Sequence, residues 1–134
     1  MMKRALIVGG ANGIGLAIAK ELSASDACEK VYIVDKAILS EEYQDDKIES
    51  FVFDLTSADY SFFNRFTDID SLFISAGFGK LSLFKDLDEQ YIINSFNVNT
   101  IACIRTIKHF YNRLLQQDDF YCGVMVSIAG FMSS

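Results

Sequence analysis

At 134 residues and 51% hydrophobic, the chain has the length of one domain, enough to bury about two-thirds of the surface that its unfolded form exposes. A net charge of -6 repels nucleic acid and anionic membrane at long range and argues against both as partners. Cys28, Cys103 and Cys122 lack the paired spacing of zinc or redox sites and read as packing residues of a cytoplasmic protein.

Ala5 to Val8 reads as a buried strand, and beyond a glycine-rich turn Ile14, Ala17, Ile18 and Leu22 recur at helical spacing as one apolar stripe. Val31 to Val34 makes a second strand. A third lies within Ile48 to Asp54, after acidic residues at Glu41, Glu42, Asp45 and Asp46 that read as a solvated face. Thr56 or Ser57 is placed to cap a short helix carrying Phe62, Phe63 and Phe66, with the phenylalanines expected in the core rather than around a ligand. Leu72 to Ile74 is the fourth strand. Asp86 and Glu89 spell a capping box ahead of a long helix from Tyr91 to Gln117, which carries Ile101, Ile104 and Ile107. Gly123 to Ser127 closes as a fifth strand. No apolar run of about 18 residues is present, and Met1 to Arg4 leads straight into a strand, so neither a membrane span nor a signal peptide is expected.

Apolar strands alternating with helices imply parallel pairing with both sheet faces covered. The expected fold is therefore α/β, a doubly wound parallel sheet of Rossmann-like plan with about five strands, in one domain spanning 1–134. Val124-Met125-Val126 carries no charge or proline to guard a free edge, so the last strand is expected to have a neighbour. Later strands and helices of such a sheet would then be missing from these residues.

Gly9-Gly10-Ala11-Asn12-Gly13-Ile14-Gly15 joins the first strand to the first helix, where exposed amides and the helix dipole favour a pyrophosphate. Glycine permits the tight turn, lets phosphate approach the backbone, and lets helix and strand pack closely. Asp35 ends the second strand about twenty positions after Gly15, where a carboxylate accepts hydrogen bonds from ribose hydroxyls; the plainer reading of Asp35 is a turn residue. That carboxylate would repel the 2′-phosphate of NADP by about 1 to 4 kcal/mol. NAD(H) is favoured on this ground, and Lys36 beside it keeps NADP(H) open.

With these residues the chain resembles the short-chain dehydrogenase/reductase family of the non-extended type, whose phosphate loop has the glycine spacing of Gly9, Gly13 and Gly15. The resemblance extends through Asp54-Leu55, which matches the adenine-contacting end of the family's third strand, and Ser75-Ala76-Gly77, which matches the end of its Asn-Asn-Ala-Gly motif. Asn99 matches the helix asparagine of the family's proton relay, and Ser127, within Ser127-Ile128-Ala129-Gly130, matches the serine that orients the substrate carbonyl. Val8 and Ile74-Ser75 depart from the family's usual Thr and paired Asn, which alters the bracing of the loop. Ala11, Asn12 and Ile14 complete the cofactor residues that the resemblance implies. It also implies a catalytic Tyr-x-x-x-Lys about a dozen positions after Ser127, whereas the sequence given ends at Ser134. The expectation is an NAD(P)-dependent oxidoreductase acting on an alcohol or carbonyl, homo-oligomeric through the long helix at Ile101 and Ile104, with the 134 residues alone inactive. The alternative is a dinucleotide-binding protein without turnover.

Tyr43 and Lys47 spell Tyr-x-x-x-Lys between the second and third strands, on the adenosine side, and read as a surface turn, since general acid catalysis needs a donor within reach of the reacting oxygen. His109 has no neighbours at ligand spacing and reads as a helix-surface residue, with no metal site expected. Without the family match, Ser127 would be an ordinary turn serine and Asn99 a helix amide bonded to backbone; the absence of a G-x-S-x-G elbow argues against a hydrolase.

Overall fold

A computed structural model describes residues 2–77 and 84–125. Five parallel strands form one sheet in the order β3-β2-β1-β4-β5, with β1 at Arg4–Val8, β2 at Lys30–Asp35, β3 at Ile48–Val52, β4 at Ser71–Ile74 and β5 at Tyr121–Val124. Helix α1 (Gly13–Ala24) connects β1 to β2. Between β4 and β5 run α2 (Glu89–Phe96), a π-helical turn (Asn97–Ile101), α3 (Ala102–His109) and α4 (Tyr111–Gln116).

Alternation along each strand divides the apolar side chains between two cores. Ile7, Val31 and Ile33 pack with Leu16 and Ala19 of α1 on one face. Leu6, Val8, Val34, Leu72 and Ile74 pack with Ala102, Phe110, Phe63 and Phe66 on the other. Both faces are covered, and the sheet is doubly wound as the sequence implies.

Several local expectations are corrected. The buried stripe of α1 is Gly15, Leu16 and Ala19, with Ile18 and Leu22 packed against it as expected, while Ile14 and Ala17 face solvent, because Gly15 itself packs against the turn and rotates the buried face. The phenylalanines after β3 ride a 3-10 turn, Ser61–Arg65, rather than a short α-helix. Its start is held by Asp59, which accepts from the Ser61 N–H at 2.9 Å, in place of a Thr56 or Ser57 cap. Asp88, not Asp86, caps α2 by accepting from the Gln90 N–H at 3.0 Å. The long helix is interrupted by the π-turn and again at Phe110, where φ -98° and ψ 8° leave the helical range. β5 begins at Tyr121 rather than Gly123, and the expected stretch beyond Met125 lies outside the described residues. Among the described residues no helix is long and apolar enough to cross a membrane.

Candidate functional site

The chain turns directly after β1. Gly9 has a φ of +89°, and a Cβ there would lie 2.5 Å from the Ala76 nitrogen, so both conformation and space require glycine. Its N–H continues the β2 ladder, donating to the Val34 carbonyl at 2.7 Å. Gly15, in the first turn of α1, packs so closely that a Cβ would meet the Gly9 carbonyl oxygen and lie 2.9 Å from the Gly9 carbonyl carbon. Gly13 between them has a φ of +58° with open space where a side chain would be. Asn12 occupies the N-cap position without a side-chain capping bond, and the first turn of α1 carries no acidic residue. The amides at this helix start therefore face neither a cap nor a carboxylate of their own, an arrangement that suits an external anion.

Asp35, the last residue of β2, is bonded to that turn. Its Oδ2 accepts the Ala11 N–H at 3.0 Å, and its Oδ1 accepts the Ala37 N–H at 3.0 Å. Asp35 thus braces its own turn, the plainer of its two readings, and stands on the same rim as the glycines.

Between these elements opens a cleft of about 380 Å³. Gly9, Asn12, Asp35 and Lys36 line one part, Phe53 to Thr56 another, and Ser75, Ala76 and Gly77 extend from the end of β4. Asn94 and Val98 close the far wall. Asp54 Oδ1 accepts both the Thr56 N–H, at 2.9 Å, and the Thr56 hydroxyl, at 2.7 Å. These bonds, helped by the charge of Lys36, hold its carboxyl below the usual carboxylate range, so it is ionised at neutral pH. Ala11, Gly13, Ile14 and Gly15 shape the turn without lining the cleft. Asn99 lies in the π-turn, donates to Ser95 Oγ at 3.1 Å, and approaches so near that a Cβ on Gly77 would be 2.6 Å from its Oδ1. Ser127 lies outside the described residues.

The family model described as short chain dehydrogenase matches residues 3–134. The chain belongs to the short-chain dehydrogenase family. Comparison with curated proteins gives no match. Among solved structures, a short chain dehydrogenase from Leptospira borgpetersenii with bound NAD+ superposes with a TM-score of 0.83 at 21% identity, over 98% of this chain and 54% of that one. A variant of ElxO with NADPH bound gives 0.70 at 22%, over 100% and 59%. A bulky-bulky ketone specific alcohol dehydrogenase from Comamonas testosteroni gives 0.82 at 24%, over 96% and 56%. The chain spans little more than half the length of the structures it matches.

In this short-chain dehydrogenase the sequence reading missed Asn94, Val98 and the cleft-lining role of Phe53. The signal for the first two was present: they are four positions apart on a helix, hence on one face, next to the predicted Asn99. Phe53 stacks on Phe62 with ring centroids 4.5 Å apart, so a ring of the aromatic core also serves as cleft wall. Tyr43 lies under the Lys20 ammonium at 4.2 Å, and Lys47 donates to the Ser25 carbonyl at 3.0 Å at the amino end of the sheet. Neither lines the cleft. The same spelling at Tyr32 and Lys36 is no closer to a catalytic pair, since the Tyr32 hydroxyl donates to Asp68 at 3.2 Å beside Arg4. His109 is half-buried between Phe63 and Phe110 rather than on the surface, and burial lowers its pKa. Burial likewise raises the thiols of Cys28, Cys103 and Cys122.

Proposed function

We propose that these residues are the nicotinamide-dinucleotide-binding part of an oxidoreductase that interconverts an alcohol and a carbonyl compound. The observation that carries this is the Ala11 N–H bonded to Asp35 Oδ2 at the mouth of the cleft, which joins an amide-rich turn for phosphate to a carboxylate for ribose hydroxyls. The close backbone packing at Gly9 and Gly15, with open space beside Gly13, leaves the turn's backbone approachable by the same group. When bound, the nicotinamide supplies or accepts the hydride. The chain's own part is to hold and orient it: the amides of Asn12 to Gly15 at the diphosphate, Asp35 at the ribose, Asp54 and Leu55 at the adenine, and Ser75 to Gly77 along the path toward the reacting end. Asn99 and Ser127 take the proton-relay and substrate-orienting roles.

NAD(H) is the preferred form and NADP(H) the weaker one. Among the described residues, two carboxylates, Asp35 and Asp54, line the cleft against one lysine, Lys36, so an added 2′-phosphate meets net repulsion. Because neither Tyr43 nor Tyr32, the tyrosines of the two Tyr-x-x-x-Lys spellings, lines the cleft, the 134 residues bind dinucleotide without appreciable turnover. The exposed apolar side chains of Ile93, Phe96, Ile101, Ile104 and Leu115 along α2 to α4 suit a second copy of the chain in a cytoplasmic homo-oligomer. Calorimetry with NADH and NADPH tests the cofactor, and a screen of alcohols and ketones tests turnover. Binding of NADH above NADPH supports the reading. No binding of either at millimolar concentration ends it.

A further inference from the structure

We propose that Arg105 is a positioning residue that sets the adenosine side of the cleft, an inference that rests on the dinucleotide reading above. The segment from Asp54 to Tyr60 leaves the sheet after Phe53, whose N–H donates to the Asp35 carbonyl at 3.0 Å. From there it runs as loop, and its first residues, Asp54 to Thr56, form one wall of the cleft. Its outer end is fastened from α3. Arg105 Nη1 donates to the Ser57 carbonyl at 2.7 Å and Nη2 to the Ala58 carbonyl at 2.8 Å. The same guanidinium lies 3.6 Å from the centroid of the Tyr60 ring. Tyr60 carries the connection back to the wall, its hydroxyl donating to the Leu55 carbonyl at 2.8 Å.

The opposite wall, Asn94 and Val98, sits earlier on the same run of helix as Arg105. One guanidinium therefore joins the two walls and fixes the space between them. A planar fork is needed for two neighbouring carbonyls and a ring face together, which an ammonium cannot supply. Arg113 provides an internal comparison. It grips the Phe66 carbonyl at 3.0 Å and also the Ile69 carbonyl, and none of these residues lines the cleft.

The test uses AMP as probe, titrated calorimetrically into the 134-residue chain. Arg105→Met is expected to weaken AMP about tenfold, the scale of one charge-assisted hydrogen bond. Arg105→Lys recovers part of that loss. Tyr60→Phe, which keeps the ring under the guanidinium but releases Leu55, weakens AMP by about threefold, within the range of one neutral hydrogen bond, and decides the matter if Arg105→Met does not fold. Arg113→Met lowers thermal stability and leaves AMP affinity as in the wild type. Unchanged AMP affinity in Arg105→Met and Tyr60→Phe, or an equal loss in Arg113→Met, overturns the role of Arg105 and leaves the dinucleotide reading standing. A wild-type chain that binds neither AMP nor NADH removes both.

Discussion

Gly15→Ala puts two well-known effects in opposition at one atom. Gly15 lies in α1 with no positive φ, so on helix propensity alone alanine should stabilise by about 1 kcal/mol. The added methyl, however, meets the Gly9 carbonyl oxygen, with the Gly9 carbonyl carbon at 2.9 Å and the Gly10 Cα at 3.0 Å. All three are backbone atoms of a turn that is itself bonded to β2, so none can rotate away. Overpacking of this kind costs about 1 to 3 kcal/mol, and the rigid contact puts the expected cost at the upper end. The net expectation is a loss of about 1 to 2 kcal/mol after the propensity gain is subtracted. Relief requires α1 to move off the turn, which carries its first amides away from the cleft, and NADH affinity should fall by about tenfold or more. Urea unfolding followed by circular dichroism gives the stability, and calorimetry gives the affinity. Gly13→Ala is the control, because open space surrounds that position and only the left-handed backbone is penalised, at about 1 kcal/mol. If Gly15→Ala proves as stable as the wild type, the backbone-to-backbone packing of turn and helix is refuted.

Asp35→Asn should raise NADPH affinity relative to NADH by at least about fivefold, since it removes a like charge worth about 1 to 4 kcal/mol; fluorescence titration with both would expose an unchanged ratio and so deny Asp35 the ribose. His109 has a folded pKa pushed below 6.5 by burial against Phe63 and Phe110. The unfolded chain then binds more protons, so stability is complete above about pH 6.5 and is lost as pH falls through the lower folded value. Melting temperatures of wild type and His109→Phe between pH 7.5 and pH 5, roughly spanning the histidine range, should show a decline in the former that is shallower in the latter; parallel curves would assign the decline elsewhere. Ile104→Lys should shift an oligomer toward monomer on gel filtration, as Ile104 is 62% exposed on the helical face proposed for self-association. A wild type that elutes as monomer at high concentration contradicts that face.

The strands were legible because a parallel sheet buried on both sides selects apolar residues at every position, a signal independent of phase. Helix phase was less secure. Gly15 has no side chain to mark it as buried, yet it sets the rotation of α1, so periodicity assigned Ile14 and Ala17 to the core when Leu16 and Ala19 are there. The π-turn at Asn97–Ile101 was invisible because it differs from an α-turn in its backbone hydrogen-bond register and not in residue type. In the site, Gly9, Asp35, Asp54, Leu55 and Ser75 to Gly77 all line the cleft, and each belongs to a local motif that the sequence displays. Asn94 and Val98 were not, since their position depends on how Ala102, Thr106 and Phe110 seat the helix on the sheet, which no local pattern records.

The place of the cleft follows from the sheet order. β1 and β4 are neighbours in the sheet, and the connections that leave them depart to opposite faces, α1 after β1 toward one and α2 to α4 after β4 toward the other. At the carboxyl ends of β1 and β4 the two layers separate, and a crevice opens where neither layer covers the rim. Its walls consequently belong to different layers and share little beyond the sheet. On the α1 side the wall is fastened by the Gly9 and Ala11 amides to β2. On the other it is fastened by Asn99 against Gly77 and by Arg105 to the loop after β3. A ligand spanning the crevice bridges both layers, so its binding should stabilise the fold by an amount set by its affinity and concentration. AMP, which reaches only the β2–β3 side, should raise the melting temperature less than NADH at equal concentration, because the longer ligand also contacts the Ser75 to Gly77 wall and so binds more tightly.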